Sequence, residues 1–249
     1  MDAGSGWPPA PGTVLCPAGS LVLTGRVFTL GVCLPGGGQG PGPVDGVQVN
    51  TLEPWGATTT ADGGLFDLCV PTATPFTTEL TASGYAQGYM AEMNVVSSTN
   101  ATAEPFYILC DSIVGFLQSE NTGWNPQTQS SVLVSVISES EAPPCDSADA
   151  GLAGWSIQSA LPDGGEIAGP TGWPVAYLGP SGLATTGSGT LSDGYGIIYN
   201  IDASVDSVAV YVNGGPPGVS CPNSNAALGL DGVVHVQPGG FGMFPYVIP

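Results

Sequence analysis

Glycine and proline interrupt this chain so often that no long window carries a 3.6-residue apolar period free of both. Gly 39 and Pro 24 make up about a quarter of the 249 residues. A helical fold is thereby excluded. Short apolar stretches recur instead, rich in valine, isoleucine, leucine and tyrosine and bounded by Gly, Pro, Asn and Asp. They predict strands near 21–29, 47–51, 57–60, 65–70, 77–83, 88–95 and 105–110 in the first half. In the second half strands are predicted near 131–138, 154–159, 174–179, 194–201, 207–213, 233–237 and 242–248. About seven strands per half at this spacing is the pattern of a β-sandwich. So much Gly and Pro borders on the composition of disordered chains. A hydrophobic content of 42%, gathered into these runs, is enough to bury a core.

The halves read as a degenerate repeat. Asp62-Gly63-Gly64-Leu65-Phe66-Asp67-Leu68-Cys69-Val70 aligns with Asp193-Gly194-Tyr195-Gly196-Ile197-Ile198-Tyr199-Asn200-Ile201. The same offset aligns Glu79-Leu80-Thr81-Ala82-Ser83-Gly84 with Val210-Tyr211-Val212-Asn213-Gly214-Gly215. Asp-Gly is a tight-turn signal because both residues tolerate positive φ. The expected organisation is all-β with two tandem β-sandwich domains of transthyretin-like or Ig-like type. A Pro/Gly-rich tether covers 1–19, the first sandwich 20–112, and a second, divergent sandwich 113–249.

The first half carries Gly25-Arg26-Val27, Val44-Asp45-Gly46-Val47-Gln48-Val49, Thr59-Thr60-Ala61-Asp62-Gly63-Gly64-Leu65-Phe66, Val70-Pro71 and Leu80-Thr81-Ala82-Ser83-Gly84-Tyr85. This series resembles the carboxypeptidase regulatory-like, transthyretin-like domain over about residues 20–110. The resemblance implies a β-sandwich accessory module of secreted and envelope proteins, without catalysis of its own. The second half keeps only the Asp-Gly turn and the strand pattern. A long loop over 139–152 interrupts it.

Charge narrows the function classes. Asp+Glu 20 against Lys+Arg 1 gives a net charge of −19, and charged residues are only 8% of the chain. Nucleic-acid binding by phosphate neutralisation is excluded, as is a basic membrane-surface helix. No apolar run is long enough to span a membrane. Cys16, Cys33, Cys69, Cys110, Cys145 and Cys221 are even in number and widely spaced, with no CxxC. That pattern suits disulfides better than zinc. The expected bridges are Cys16–Cys33, Cys69–Cys110 and Cys145–Cys221, none crossing the boundary. They place the protein outside the cytoplasm, in the extracellular space or a bacterial envelope, with the export signal removed.

Chemistry-bearing residues are few. His235 lies in Val233-Val234-His235-Val236-Gln237, where alternation puts it opposite Val234 and Val236 on a half-exposed strand. Arg26, the sole basic residue, is expected to find a local acidic or carbonyl partner. No G-x-S-x-G is present, and a facial iron triad needs two histidines. Glu139 with Glu141, and Asp163 with Glu166, read as solvated loop carboxylates rather than a glycosidase pair. Glu139, Glu141, Asp146 and Asp149 form the one acidic cluster suited to Ca²⁺, with an ordinary acidic loop as the simpler reading. No cofactor is expected, with Ca²⁺ as the one alternative. Trp55, Trp124 and Trp173 adjoin Gly or Pro in turns, where they either cap the sandwich ends or stack on sugar rings.

The edges raise a separate question. β-proteins commonly guard sheet edges with lysine, and this chain has none. The apolar segments Thr13-Val14-Leu15 and Met243-Phe244-Pro245-Tyr246-Val247-Ile248 are candidates for strand addition to a neighbouring sheet. The expected role is non-catalytic: structural, adhesive or binding. The alternatives are a Ca²⁺- or carbohydrate-binding module, or a subunit of an extracellular fibre. The expected partners are a surface protein, a glycan or further copies of the chain.

Overall fold

The computed structural model describes residues 14–30, 42–53, 55–95, 101–102, 106–120, 125, 128–138, 154–162, 173–178, 184–185, 189–190, 194–214 and 232–248. Among the described residues the fold is all-β apart from one short helix. Each strand expected from the sequence is present. In chain order they are β1 (Ser20–Leu30), β2 (Gln48–Thr51), β3 (Ala57–Thr59), β4 (Leu65–Pro71), β5 (Thr78–Thr81) and β6 (Gln87–Met90). The first half continues with a short β7 (Ala101–Thr102) and β8 (Phe106–Leu109). In the second half come β9 (Gln129–Ser138), β10 (Trp155–Ala160), β11 (Val175–Leu178), a short β12 (Ala184–Thr185) and β13 (Tyr195–Asp202). β14 (Ser207–Gly214), β15 (Val233–His235) and β16 (Gly240–Ile248) complete the chain.

The strands form three sheets. A nine-stranded sheet runs β12-β11-β13-β9-β16-β6-β5-β2-β3, and it therefore crosses from one half of the sequence to the other. A four-stranded sheet is built around β1, which pairs with β4 on one side and with β7 and β8 on the other. A three-stranded sheet runs β10-β14-β15. The first core holds Leu23, Val27, Val49, Phe66, Leu68, Leu80, Met90 and Phe106, together with Leu133, Ile197, Phe241 and Met243 from the second half. The second core holds Val132, Val134, Ile157, Ile198, Val208, Val210, Val234 and Phe244, together with Ala91 from the first half.

These lists alternate along the shared strands. Leu133 faces the first core and Val132 and Val134 the second; Ile197 and Ile198 divide likewise, as do Met90 and Ala91. On β16, Phe241 and Met243 face one core and Phe244 the other. Successive strand residues point to opposite faces, so one sheet serves two cores. The four-stranded sheet covers one face and the three-stranded sheet the other. Two cores thus lie on opposite faces of the nine-stranded sheet, and both halves contribute to each. The boundary expected at residue 112 falls at the start of the helix, and the sheet continues across it.

That helix, α1 (Asp111–Glu120), corrects the expectation of a chain almost free of helix signals. It carries Asp111 in its first turn, where the helix dipole favours an acid. Ile113 and Val114 pack against the first core. Ten residues with Gly115 inside are too few to show a convincing period, since an interior glycine costs about 1 kcal/mol relative to alanine. Packing supplies what propensity lacks.

The Asp-Gly turn is built as its sequence demands. Asp62 and Gly63 both have positive φ, 50° and 83°. Asp45 Oδ1 accepts from the backbone N–H groups of Gly63 (2.9 Å) and Gly64 (2.7 Å). A Cβ at Gly64 would lie 2.5 Å from the carbonyl oxygen of Val27, so no larger residue fits there. Beside this turn, buried Thr60 donates to Val44 O (2.7 Å) and accepts from Val47 N–H (2.9 Å). One hydroxyl thus satisfies two backbone groups that would otherwise be buried unpaired.

The missing lysines are explained at the edges. The nine-stranded sheet ends in β3 and β12, three and two residues long. Short edges offer little to a pairing chain. On β10, the outward N–H of Trp155 is taken by Thr190 Oγ1 and that of Ile157 by Tyr177 Oη, both at 3.0 Å. Side-chain hydroxyls here replace the guarding charge. The C-terminal segment pairs within the chain: β16 lies beside β9 along Phe241–Ile248 and beside β6 along Gly240–Met243, so over Phe244–Ile248 the printed ladder partner is β9 alone.

Candidate functional site: a closed polar ring at the seam

Where the three-stranded sheet gives out, polar side chains from both halves meet. Glu79 on β5 stands opposite Tyr89 on β6 in register. Leu80 and Met90 face the first core, so Glu79 and Tyr89 face the other side. β15 lies against this face, and its His235 ring meets the Tyr89 ring edge-on, centroids 5.0 Å apart. The sequence-based placement of His235 holds: Val234 and Val236 are buried and His235 is half-buried.

Four side chains close a hydrogen-bonded ring. Gln237 donates to Gln87 Oε1 (3.1 Å) and to Tyr89 Oη. Gln87 donates to Glu79 Oε1, and Tyr89 Oη donates to the same oxygen at 3.4 Å. Burial first, and then the Glu79 carboxylate, push the Tyr89 phenol above its ordinary pKa, so it stays a donor. Gly240 permits the approach: a Cβ there would sit 2.8 Å from Tyr89 Cε2. Sequence reasoning missed this ring because Gln237 reaches Gln87 and Tyr89 only through the β6–β16 pairing.

Burial lowers the His235 pKa, and Asp206, Glu53 and Glu79 raise it by a smaller amount. The unfolded imidazole titrates near 6.5. The unfolded chain therefore takes up the proton first as pH falls, and His235 costs stability from about pH 6.5 downward. Replacing it (His235→Gln) is expected to flatten the decline in melting temperature just below pH 6.5. An unchanged slope would mean that carboxylates alone set the acid limb.

The other expected residues are dispersed. The Cys16–Cys69 bond replaces the expected Cys16–Cys33 and Cys69–Cys110 pairs, with Cα atoms 5.5 Å apart. β1 lies antiparallel to β4 with Val22 opposite Cys69, which brings the segment before β1 to β4. Cys110 is also disulfide-bonded. Cys33, Cys145 and Cys221 lie outside the described residues, as do Trp124, the carboxylates Asp163 and Glu166, and the Ca²⁺ candidates Glu139, Glu141, Asp146 and Asp149. Among the described residues no cluster of three potential metal ligands occurs. Trp173 is a correction to the stacking expectation, because it is buried in the second core and offers no face to a ligand. Trp55 is 47% exposed, in a loop whose N–H groups at Trp55 and Gly56 donate to Thr51 Oγ1. The Arg26 guanidinium lies 6.0 Å from the centre of the Phe28 ring.

No family model matches the chain, and no curated protein matches it. Solved structures give weak superpositions. The minor pilin GBS52 of Streptococcus agalactiae is 10% identical, with 92% of this chain and 95% of that chain covered and a TM-score of 0.30. The TIE protein of Bacillus anthracis is 8% identical, with 92% of this chain but 34% of that chain covered and a TM-score of 0.26. The shaft pilin SpaA of Lactobacillus rhamnosus GG is 9% identical, with 92% and 98% covered and a TM-score of 0.24. Among the described residues no helix is long and apolar enough to cross a membrane.

Proposed function

We propose that this chain is a non-catalytic structural protein of the extracellular space or cell envelope. The observation that carries the reading is the closed ring at the seam. The polar side chains beside the chain's sole imidazole bond to one another in a ring that joins the two halves. General acid–base work needs a group within reach of a reacting atom, and His235 lies edge-on against Tyr89. The Cys16–Cys69 bridge supports an oxidising compartment. The strands of residues 20–112 are compatible with the carboxypeptidase regulatory-like resemblance and its accessory role.

The test is surface labelling of the intact cells that make the protein, together with activity screening of the purified chain. Labelling before lysis, and no turnover that depends on His235, are expected. Labelling only after lysis would overturn the location. A hydrolytic or redox activity abolished by His235→Ala would overturn the non-catalytic role.

A further inference from the structure

The pairing of the last strand has a mechanical consequence. β16 is parallel to both of its neighbours, with eight residues in register with β9 and four with β6. The other pairs of that sheet are antiparallel. Tension leaving the chain beyond Ile248 pulls β16 from its C-terminal end. The opposing tension reaches β6 and β9 from their N-terminal ends, through the preceding chain. Parallel strands loaded at opposite ends are sheared, and every bond of the ladder resists together. Parallel strands loaded at the same end unzip one pair at a time. Gln237, immediately before β16, is additionally tied to Gln87 and Tyr89 of β6.

We infer that the fold is a load-bearing link: β16 clamped between β6 and β9 resists tension by shear. The inference deepens the structural reading above and rests on it.

Single-molecule pulling of the oxidised full chain tests it, because forced unfolding reports the unfolding barrier directly. Handles at the two termini load the clamp in shear. Handles at Thr128 and Pro238, both exposed and at the same end of β9 and β16, load it as a zipper. At equal loading rate the terminal geometry is expected to need at least about twofold more force. Equal or lower force would overturn the clamp. A weak clamp in a protein that labels on intact cells sinks this inference and leaves the structural reading standing.

Discussion

Replacing Cys16 and Cys69 together with serine is expected to lower the unfolding free energy by about 4 kcal/mol. The bond closes a 53-residue loop, and the chain-entropy relation for a loop of that length gives a loss of this size. A folded domain has about 5–15 kcal/mol in total, so the variant should sit close to the unfolding threshold at physiological temperature. Denaturant titration checks the value. The m-value should rise as well, because the unlinked unfolded chain exposes more surface. A loss below about 1 kcal/mol would mean that the N-terminal segment contributes little to the fold. Peptide mapping without reductant tests the connectivity on which this rests. β1 and β8 run parallel with Leu30 beside Leu109. Cys33 follows the first by three residues and Cys110 follows the second directly. The expected map is Cys16–Cys69, Cys33–Cys110 and Cys145–Cys221. Recovery of a Cys16–Cys33 peptide would refute it.

Truncation of Phe241 to alanine is expected to cost about 3–5 kcal/mol, the usual loss for a buried phenylalanine. Phe241 is 2% exposed and belongs to the first core, although it lies eight residues from the chain end. Its effect should not remain local. β16 also supplies Phe244 to the second core, so loosening the strand weakens both sandwiches. A single cooperative transition, shifted as a whole, is expected by calorimetry. Two transitions, with the second-half tryptophan Trp155 reporting an unshifted one, would show that the sandwiches unfold separately.

Much of the fold was legible because strand signals are local. Alternation, β-branched residues and Gly/Pro punctuation located the strands from 21–29 to 242–248, since each depends on neighbours a few residues away. The Asp62-Gly63 turn was legible for the same reason: both residues sit at positive φ, which their types permit. The half-buried position of His235 followed from period two alone. Helix α1 was not legible, because ten residues with a central glycine owe their helicity to packing by Ile113 and Val114.

Composition and pattern thus determined that this chain is a disulfide-bearing β-protein with almost no basic groups and no material for phosphate or nucleic-acid recognition. Partner choice was decided only in three dimensions. A strand's two faces are written in its sequence, but which strand lies beside it is not, because backbone hydrogen bonds are alike for every pair. Nothing in residues 240–248 announces insertion between β6 and β9. That insertion joins the two halves and places Gln237 against Gln87 and Tyr89. The disulfide register changed for the same reason. Cys16 bonds Cys69 because β1 returns beside β4, a long-range pairing that wins over proximity in sequence.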